Sequence, residues 1–305
     1  MSRTAGRIAS RFEALAERGR TALIPFVTAG DPDASTTLSL MHAMVGAGAD
    51  ILELGIPFSD PMADGPVIQR AGERALAAGM HFEGTLEIVR AFRKRDETTP
   101  VVLMGYLNPL EAAGGHRSAE RAAKAGADGF IVVDLPPEEA QDFAPAANEA
   151  GIDTIFLLSP TSDDERIARI CALARGFVYY VSLRGVTGAA SLDAEEVAQR
   201  VSHIKAMTEL PVGVGFGIRS PEDAARIAEV ADAVVVGSAI VSRIEEGIEK
   251  SRDAGEDGEQ GPSALSDALV PVVVDFVAGL RAAIDGVDGA SAPEIASGAE
   301  SGRGA

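Results

Sequence analysis

One stretch of the sequence places acidic side chains where they could do chemistry. In LELGIPFSDPMADGP, residues 52–66, Glu53 lies inside an apolar run, and Asp60 and Asp64 follow among prolines. A carboxyl group in apolar surroundings has a raised pKa, because burial disfavours its charged form, and it can then give and take protons near neutral pH. The pattern therefore predicts proton transfer by Glu53. The alternative that stays open is a buried structural glutamate held by a partner.

Other reactive groups fall in positions that do not suit catalysis. No lysine follows the end of a predicted strand, so Schiff-base chemistry lacks its nucleophile. The histidines show no metal-ligand spacing, no metal site is predicted, and Cys171 falls in a predicted helix. Carboxylates remain, with Tyr106 or Tyr179 as further candidates, so a bond cleavage would need its electron sink in the substrate. The lysines are Lys94, Lys124, Lys205 and Lys250, and the histidines are His42, His81, His116 and His203.

Two glycine-rich segments predict an anion site. GVGFGI (213–218) and VVVGSAIV (234–241) each end a predicted strand, and the second runs into a helix. Backbone N–H groups near Gly217, Gly237 and Ser238 would cradle a phosphate at that helix N-terminus. A third segment, RGVTGA (184–189), has two glycines and could close over the phosphate, with a backbone N–H from Gly188. An ordinary flexible loop is its alternative.

The elements that must position these residues read as a repeated strand and helix. Near-continuous apolar runs, separated by helical patterns, are typical of parallel strands covered on both faces. Eight such units favour an α/β fold, a closed (β/α)8 TIM barrel, over an open parallel sheet, which stays possible. A helix is expected before the first strand, and another in an enlarged loop over 58–80. The predicted strands lie in 22–30, 50–57, 100–109, 129–137, 153–160, 176–185, 211–218 and 233–241.

The chain is predicted to form a single barrel domain over residues 1–285. A last helix is expected at about 263–284, after a polar connection over 245–262. Residues 286–305 contain little that could be buried, and they are predicted to be a disordered tail.

Composition narrows the class of protein. The formal net charge is −19, and without a basic cluster such an acidic protein would be repelled by nucleic acid. No apolar run is long enough to span a membrane, and the N-terminus lacks the apolar centre of a secretory signal. The single cysteine fits a reducing compartment. A cytoplasmic protein that binds neither nucleic acid nor membrane is expected.

The quoted motifs together resemble the tryptophan synthase alpha subunit family. LELGIPFSDPMADGP carries the resemblance with LIPFVTAGDP before it and GVTG, GFGI and GSAIV after it, over about residues 8–245 and most of the final helix. The resemblance implies retro-aldol cleavage of indole-3-glycerol phosphate to indole and D-glyceraldehyde 3-phosphate, with no cofactor. It also implies a beta subunit that carries pyridoxal phosphate, in an alpha2-beta2 heterotetramer. That subunit is expected to meet the loops around Pro57–Asp60, Asn108 and Pro136.

The resemblance also implies residue roles. Glu53 matches the proton carrier, Asp64 the partner of the indole N–H, and Tyr179 a supporting tyrosine. Packing in the core stays open as the alternative for each pocket residue. One departure concerns Ser182, which the family often follows with arginine and this chain with Leu183. The implied phosphate site is Gly188, Gly217, Gly237 and Ser238, and the implied indole pocket is Phe26, Met104, Tyr106, Ile131 and Phe216.

Two other functions remain to be weighed. Another phosphate-binding barrel, such as indole-glycerol phosphate synthase or a sugar-phosphate isomerase or epimerase, would be expected to show a lysine at the barrel mouth or metal-spaced histidines. A non-catalytic subunit that only activates its partner is the second. The presence of both Glu53 and Asp64 counts against loss of catalysis.

Overall fold

A computed structural model describes residues 6–182, 194–215, 217–253 and 262–291. Within these residues each strand is followed by one or two helices. The strands are β1 (Ala22–Thr28), β2 (Leu52–Gly55), β3 (Val101–Gly105), β4 (Gly129–Val132), β5 (Asp153–Leu158), β6 (Val178–Val181), β7 (Val212–Gly215) and β8 (Ala233–Val236). The helices are α1 (Arg7–Ala16), α2 (Ala34–Gly46), α3 (Pro66–Ala77), α4 (Phe82–Arg93), α5 (Leu107–Ala112), α6 (His116–Ala125), α7 (Ala140–Ala150), α8 (Asp164–Leu173), α9 (Ala194–Lys205), α10 (Pro221–Ala228), α11 (Ser238–Asp253) and α12 (Pro262–Ser291).

The strands close into a barrel. All neighbouring pairs are parallel and follow chain order, and β8 returns to pair with β1 through Ala22 and Ala233. This closure confirms the predicted (β/α)8 barrel and is incompatible with the open sheet. None of the described helices combines the length and apolarity that crossing a membrane requires.

The strand residues divide between two apolar regions, and this division explains the acidic residue in β2. Leu52 and Leu54 pack outward in the large cluster between the strands and the helices. Ile51 belongs instead to a smaller cluster inside the barrel, which includes Ile24, Val102 and Ile155. Because successive strand residues point to opposite faces, Glu53 lies on the same interior side as Ile51.

The added N-terminal helix, which the sequence predicted, seals one end of the barrel. Ile8, Phe12 and Leu15 of α1 are buried and belong to the interior cluster. The Phe12 ring lies 5.7 Å from the ring of Phe177 on the strand side. The opposite end, where the strands terminate, is left as the mouth.

The enlarged loop contains α3, which is fixed by a network of ion pairs. Arg74 forms two bonds with Asp31, of 2.7 and 2.9 Å, and a third of 2.8 Å with Glu245 on α11. Arg70 forms two bonds of 2.7 Å with Glu245, and they help lower the pKa of that carboxyl to about 2. Helix α3 is therefore clamped to the helix that follows β8.

The last helix is longer than the predicted 263–284. Residues 286–291, which were predicted to begin the tail, belong to this helix. It runs to Ser291 with Pro271 inside it, and the Asp288 carboxylate accepts bonds of 3.0 Å from the Thr21 backbone N–H and hydroxyl. Its Arg281, 6% exposed, donates to the Thr21 carbonyl and contacts the carboxylates of Asp50 and Asp285. These polar partners hold a segment that has few apolar side chains. The predicted disorder of 292–305 lies outside the described residues.

Candidate active site at the barrel mouth

A cavity of about 470 Å³ opens at the carboxyl ends of the strands. It collects residues from β1, β2, β3, β6 and the segments around β7 and β8, where a barrel places its reactive groups. Eight of the residues predicted from sequence line it: Phe26, Glu53, Asp64, Met104, Tyr179, Gly217, Gly237 and Ser238.

Glu53 is a buried acid in the cavity wall. It is 2% exposed and lies in register with Phe26 on β1 and Val102 on β3. Its buried Oε2 has no hydrogen-bond partner among the described residues. Burial raises the pKa of Glu53 to about 8, and the nearby charge of Asp64 adds to that rise. The structure thus does not favour the paired structural glutamate that stayed open from sequence.

Asp64 is a second carboxyl in a more polar setting. It ends the loop before α3, and the Gln69 amide donates a bond of 2.9 Å to its carbonyl oxygen. Burial raises the pKa of Asp64 to about 6, and a hydrogen bond from Tyr106 opposes the rise. The Tyr106 hydroxyl accepts a bond of 2.9 Å from the Ala63 N–H, which fixes the loop beside that ring.

The two carboxyls are therefore in different protonation states near neutral pH. Between pH 6 and 8, Glu53 is mostly protonated and Asp64 mostly ionised, given the pKa values of about 8 and about 6. Separation of pKa values by environment is how one site assigns an acid role and a stabilising role to two similar groups.

Glycines make room for the aromatic residues around Glu53. Burial, and then the charge of Glu53, raise the pKa of Tyr179 well above its ordinary value, so its hydroxyl stays protonated. A Cβ on Gly215 would overlap that hydroxyl, and a Cβ on Gly55 would lie 2.7 Å from the Phe26 ring. The rings thus occupy space that any side chain at these two positions would fill.

The opposite side of the cavity is suited to an anion. Gly217 has a φ of +77°, a left-handed conformation that favours glycine. Gly237 and Ser238 stand at the start of α11, where the first N–H groups of a helix lack intrahelical acceptors. Backbone donors and the positive end of the helix dipole would stabilise a phosphate here.

Other predicted residues lie elsewhere. Ile131 is 1% exposed and packs in the interior cluster beneath the cavity, and it is not part of the cavity lining. Tyr106 lines an adjoining space of about 20 Å³ that also reaches Asp64. Gly188, Phe216 and the predicted lid at 184–189 lie outside the described residues.

The cavity also contains residues that the sequence reasoning missed. Val67 and Ile68 of α3 form part of its apolar wall, and Arg219, Ser242 and Arg243 line the side near Ser238. The position of Arg219 directly after GFGI was an available signal. Ser242 stands about one helical turn after Ser238, so helical periodicity would have indicated that residue. Among the described residues no group of three or more metal-binding side chains comes together.

One cavity thus combines a protonated acid, an ionised carboxylate, an apolar wall and an anion cradle. Such an arrangement can hold a molecule with a flat apolar part and a phosphate, and can move a proton to and from its reacting atoms.

Comparison with known proteins gives a consistent result. The family model described as tryptophan synthase alpha chain matches residues 12–269. The chain is 60% identical to the tryptophan synthase alpha chain of Nitrosococcus oceani, over 79% of this chain and 89% of the relative. It is 52% identical to that of Methylococcus capsulatus, over 92% and 99%. The crystal structure of the alpha subunit from Legionella pneumophila superposes with a TM-score of 0.83 at 45% identity, covering 93% of this chain and all of the other.

Proposed function

The chain belongs to the tryptophan synthase alpha chain family, and we propose that its barrel mouth carries out the family's reaction through Glu53 and Asp64. The reaction is the cleavage of indole-3-glycerol phosphate to indole and D-glyceraldehyde 3-phosphate, in tryptophan biosynthesis. The alpha chain uses no cofactor in it, and pyridoxal phosphate belongs to the beta subunit. The family match does not favour indole-glycerol phosphate synthase or a non-catalytic activating subunit.

Glu53 acts as the proton carrier in this proposal. Its protonated carboxyl delivers a proton to C3 of the indole ring, which makes the ring an indoleninium and an electron sink. The resulting carboxylate takes the proton of the glycerol hydroxyl as the bond between C3 and the glycerol carbon breaks. That carbon becomes the aldehyde, and Glu53 ends the reaction protonated. The supporting observation is a buried carboxyl group with a pKa of about 8 and an unpartnered Oε2 in the cavity wall.

Asp64 accepts a hydrogen bond from the indole N–H and stabilises the positive charge that develops on the ring nitrogen. Its pKa of about 6 keeps it ionised at the pH where Glu53 is protonated. A carboxylate already in position beside the ring nitrogen lowers the free energy of the transition state, where positive charge develops, more than that of the bound substrate.

The remaining roles in this proposal combine the cavity lining with the resemblance to the family. Gly217, Gly237 and Ser238 bind the phosphate, and Gly188 is proposed to join them. Tyr179 supports Glu53 through its protonated hydroxyl. The indole ring lies against Phe26 and Met104, with Tyr106 and Phe216 proposed as further pocket residues, while Ile131 packs beneath them.

Indole release by the purified chain tests the function. We expect release from indole-3-glycerol phosphate without any added cofactor, and faster release with a beta subunit. The kcat/KM should fall below about pH 6, as Asp64 gains a proton, and above about pH 8, as Glu53 loses one. Asp64→Asn should remove the fall in kcat/KM at acidic pH. Release of no indole, alone or with beta subunit, would show a non-catalytic subunit, and a flat profile between pH 5 and 9 would contradict the assigned roles.

The family's partner is a beta subunit, and we propose that the mouth loops bind it in an alpha2-beta2 heterotetramer. The proposed contacts are Pro57–Asp60, Asn108 and Pro136. Met62, in the same loop, is 86% exposed, which is unusual for a large apolar side chain. Phe58 connects this loop to the site, because its ring lies 5.2 Å from that of Tyr106. Indole released at the mouth would then enter the partner.

Met62→Asp tests this surface. Placing a charge on an apolar contact should raise the Kd for a beta subunit by about tenfold or more, since an interface anchor contributes on the order of 2 kcal/mol. Indole release by the isolated chain should stay within about twofold of the unchanged protein. Val272→Asp, at a 47% exposed site on α12, is the matched control. Equal Kd values for both variants, measured by calorimetry, would place the interface elsewhere.

The cytoplasm is the proposed location of the chain. A single cysteine, half-buried in α8, suits a reducing compartment. We also propose that one barrel domain accounts for the whole described chain, because β8 closes on β1 and α12 packs along β1, α2 and α10.

A further inference from the structure

Two arginines line the cavity next to the anion cradle. Arg219 follows Gly217 and Ile218 at the exit of β7, and Arg243 lies in the second turn of α11, after Ser238. Neither guanidinium has a carboxylate within ion-pair distance among the described residues. Many of the chain's other arginines do, including Arg70, Arg74 and Arg281.

Arg243 is held in place by groups that leave its charge uncompensated. Its guanidinium carbon lies 3.4 Å from the centre of the Phe276 ring, and its Nη1 donates a bond of 2.7 Å to the Ala239 carbonyl. An aromatic face and a neutral carbonyl fix the direction of the side chain. Glu246 acts on it only through longer-range attraction. A fixed, half-buried cation therefore faces the cavity.

Arg219 adds a second cation at the rim. Its side chain is exposed, while its backbone N–H is bound to the Asp223 carboxylate at 3.0 Å. The backbone is thus anchored at the start of α10 and the side chain stays available to a ligand.

The charges of Arg219 and Arg243 matter because the rest of the protein is strongly acidic. The chain carries a formal charge of −19, and Glu53 and Asp64 occupy the other side of the same cavity. A phosphate monoester approaching this protein meets net repulsion, which unpaired cations at the mouth reverse locally. Backbone N–H groups alone carry only partial charges.

We propose that Arg219 and Arg243 form a cationic rim that binds the phosphate group of the substrate and selects doubly charged phosphate esters. The inference rests on the proposed phosphate site and extends it from backbone donors to side-chain charge. Arg243 is the fixed member and contacts the bound phosphate beside Ser238. Arg219 draws the ester into the mouth and contributes mainly to the rate of capture.

Kinetics of Arg219→Gln and Arg243→Gln test the rim. Each variant should raise the KM for indole-3-glycerol phosphate by about three- to tenfold, and the double variant by about thirtyfold, as expected when charged contacts are lost. The kcat should change by less than about twofold, because the contacts are equal in ground and transition states. Inhibition by inorganic phosphate should weaken by the same factors. Binding of a neutral indole alcohol without phosphate should not change.

Control variants separate charge from packing and from the proposed site. Arg243→Lys should recover most of the affinity, and Phe276→Leu, which keeps the charge but removes the ring that orients it, should raise the KM less than Arg243→Gln does. Arg90→Gln on α4 has the same effect on net charge, far from the cavity. The dependence of kcat/KM on salt should weaken in the rim variants and not in Arg90→Gln.

Two outcomes would overturn the inference. If Ser238→Pro, which removes a backbone N–H at the first position of α11 where a helix tolerates proline, weakens phosphate binding while the double rim variant does not, the cradle stands and the rim has no role. If the neutral indole alcohol loses affinity as much as the substrate does, the arginines act on cavity shape. Failure of the phosphate site itself would appear differently, as an unchanged KM in Ser238→Pro.

Discussion

Glu53→Gln is expected to reduce the kcat for indole release by about a thousandfold, within the range that general acid–base groups contribute. Glutamine keeps the size and the polar end of the side chain but neither gives nor takes a proton at any useful pH. Affinity for indole-3-glycerol phosphate should stay within about threefold, because the phosphate and ring contacts are unchanged. Stopped assays with the purified variant measure both quantities. A kcat within tenfold of the unchanged protein would show that another group moves the proton.

The same variant makes a prediction about stability that needs no substrate. Burial raises the pKa of Glu53 from 4.5 to about 8, so the folded state favours the neutral carboxyl. Its contribution to stability is full below about pH 4.5 and is lost as the pH rises through 8. Glutamine has no such dependence. The free energy of unfolding of Glu53→Gln, minus that of the unchanged protein, should therefore rise between pH 5 and 9 by a few kcal/mol. Urea titrations at both pH values measure it, and a constant difference would show that Glu53 is not buried as an acid.

Arg281→Ala is expected to lower the free energy of unfolding by about 3–5 kcal/mol, as found when one partner of a buried ion pair is removed. The guanidinium bonds the Thr21 carbonyl at 2.9 Å and the Asp50 carboxylate at 3.1 Å, and it contacts Asp285 and Asp288 on its own helix. Its removal leaves the carboxylate of Asp50 buried with only the longer ion pair of 3.9 Å to Arg11. Thermal and urea unfolding measure the loss, and the kcat per folded molecule should not change, because these contacts lie at the barrel end opposite the mouth.

A surface pair provides the matched control for Arg281. Arg20→Gln removes an exposed partner of the same Asp285, at 3.0 Å, and should cost less than about 1 kcal/mol. Similar losses in the two variants would mean that burial does not decide the contribution. Arg281 also explains the glycine at position 48, since a Cβ on Gly48 would lie 2.6 Å from the Arg281 side chain.

The sequence was sufficient for the barrel and for the existence of an acidic site, because both follow from local patterns. Apolar runs, helix ends and the early position of α1 are encoded within short windows. The orientation of Glu53 is not encoded in this way, because a strand buried on both faces has no polar–apolar alternation that would identify its inner side. The register of β2 with β1 and β3 supplies it.

Long-range pairing explains most of what the sequence could not give. The end of α12 has the composition of a tail, and only Arg281 and Asp288, which reach residues near position 21, show that it is held. Depth along a strand is a similar case. Ile131 follows the same pattern as the mouth residues, yet it lies one layer below them. Arg219 and Arg243 look like ordinary solvated charges until two distant segments meet at one cavity.

The closed end of the barrel limits how Glu53 exchanges its hydrogen ion with water. The cluster beneath Glu53 is apolar and is closed from below by Ile8 and Phe12, so this acid reaches bulk water only by way of the opening above it. Once an indole ring fills that opening, the hydrogen lost to carbon and the hydrogen regained from the alcohol are exchanged in isolation. While the ring is bound, the reaction therefore neither takes a hydrogen ion from the solvent nor returns one to it, and exchange with water resumes when the products leave the mouth.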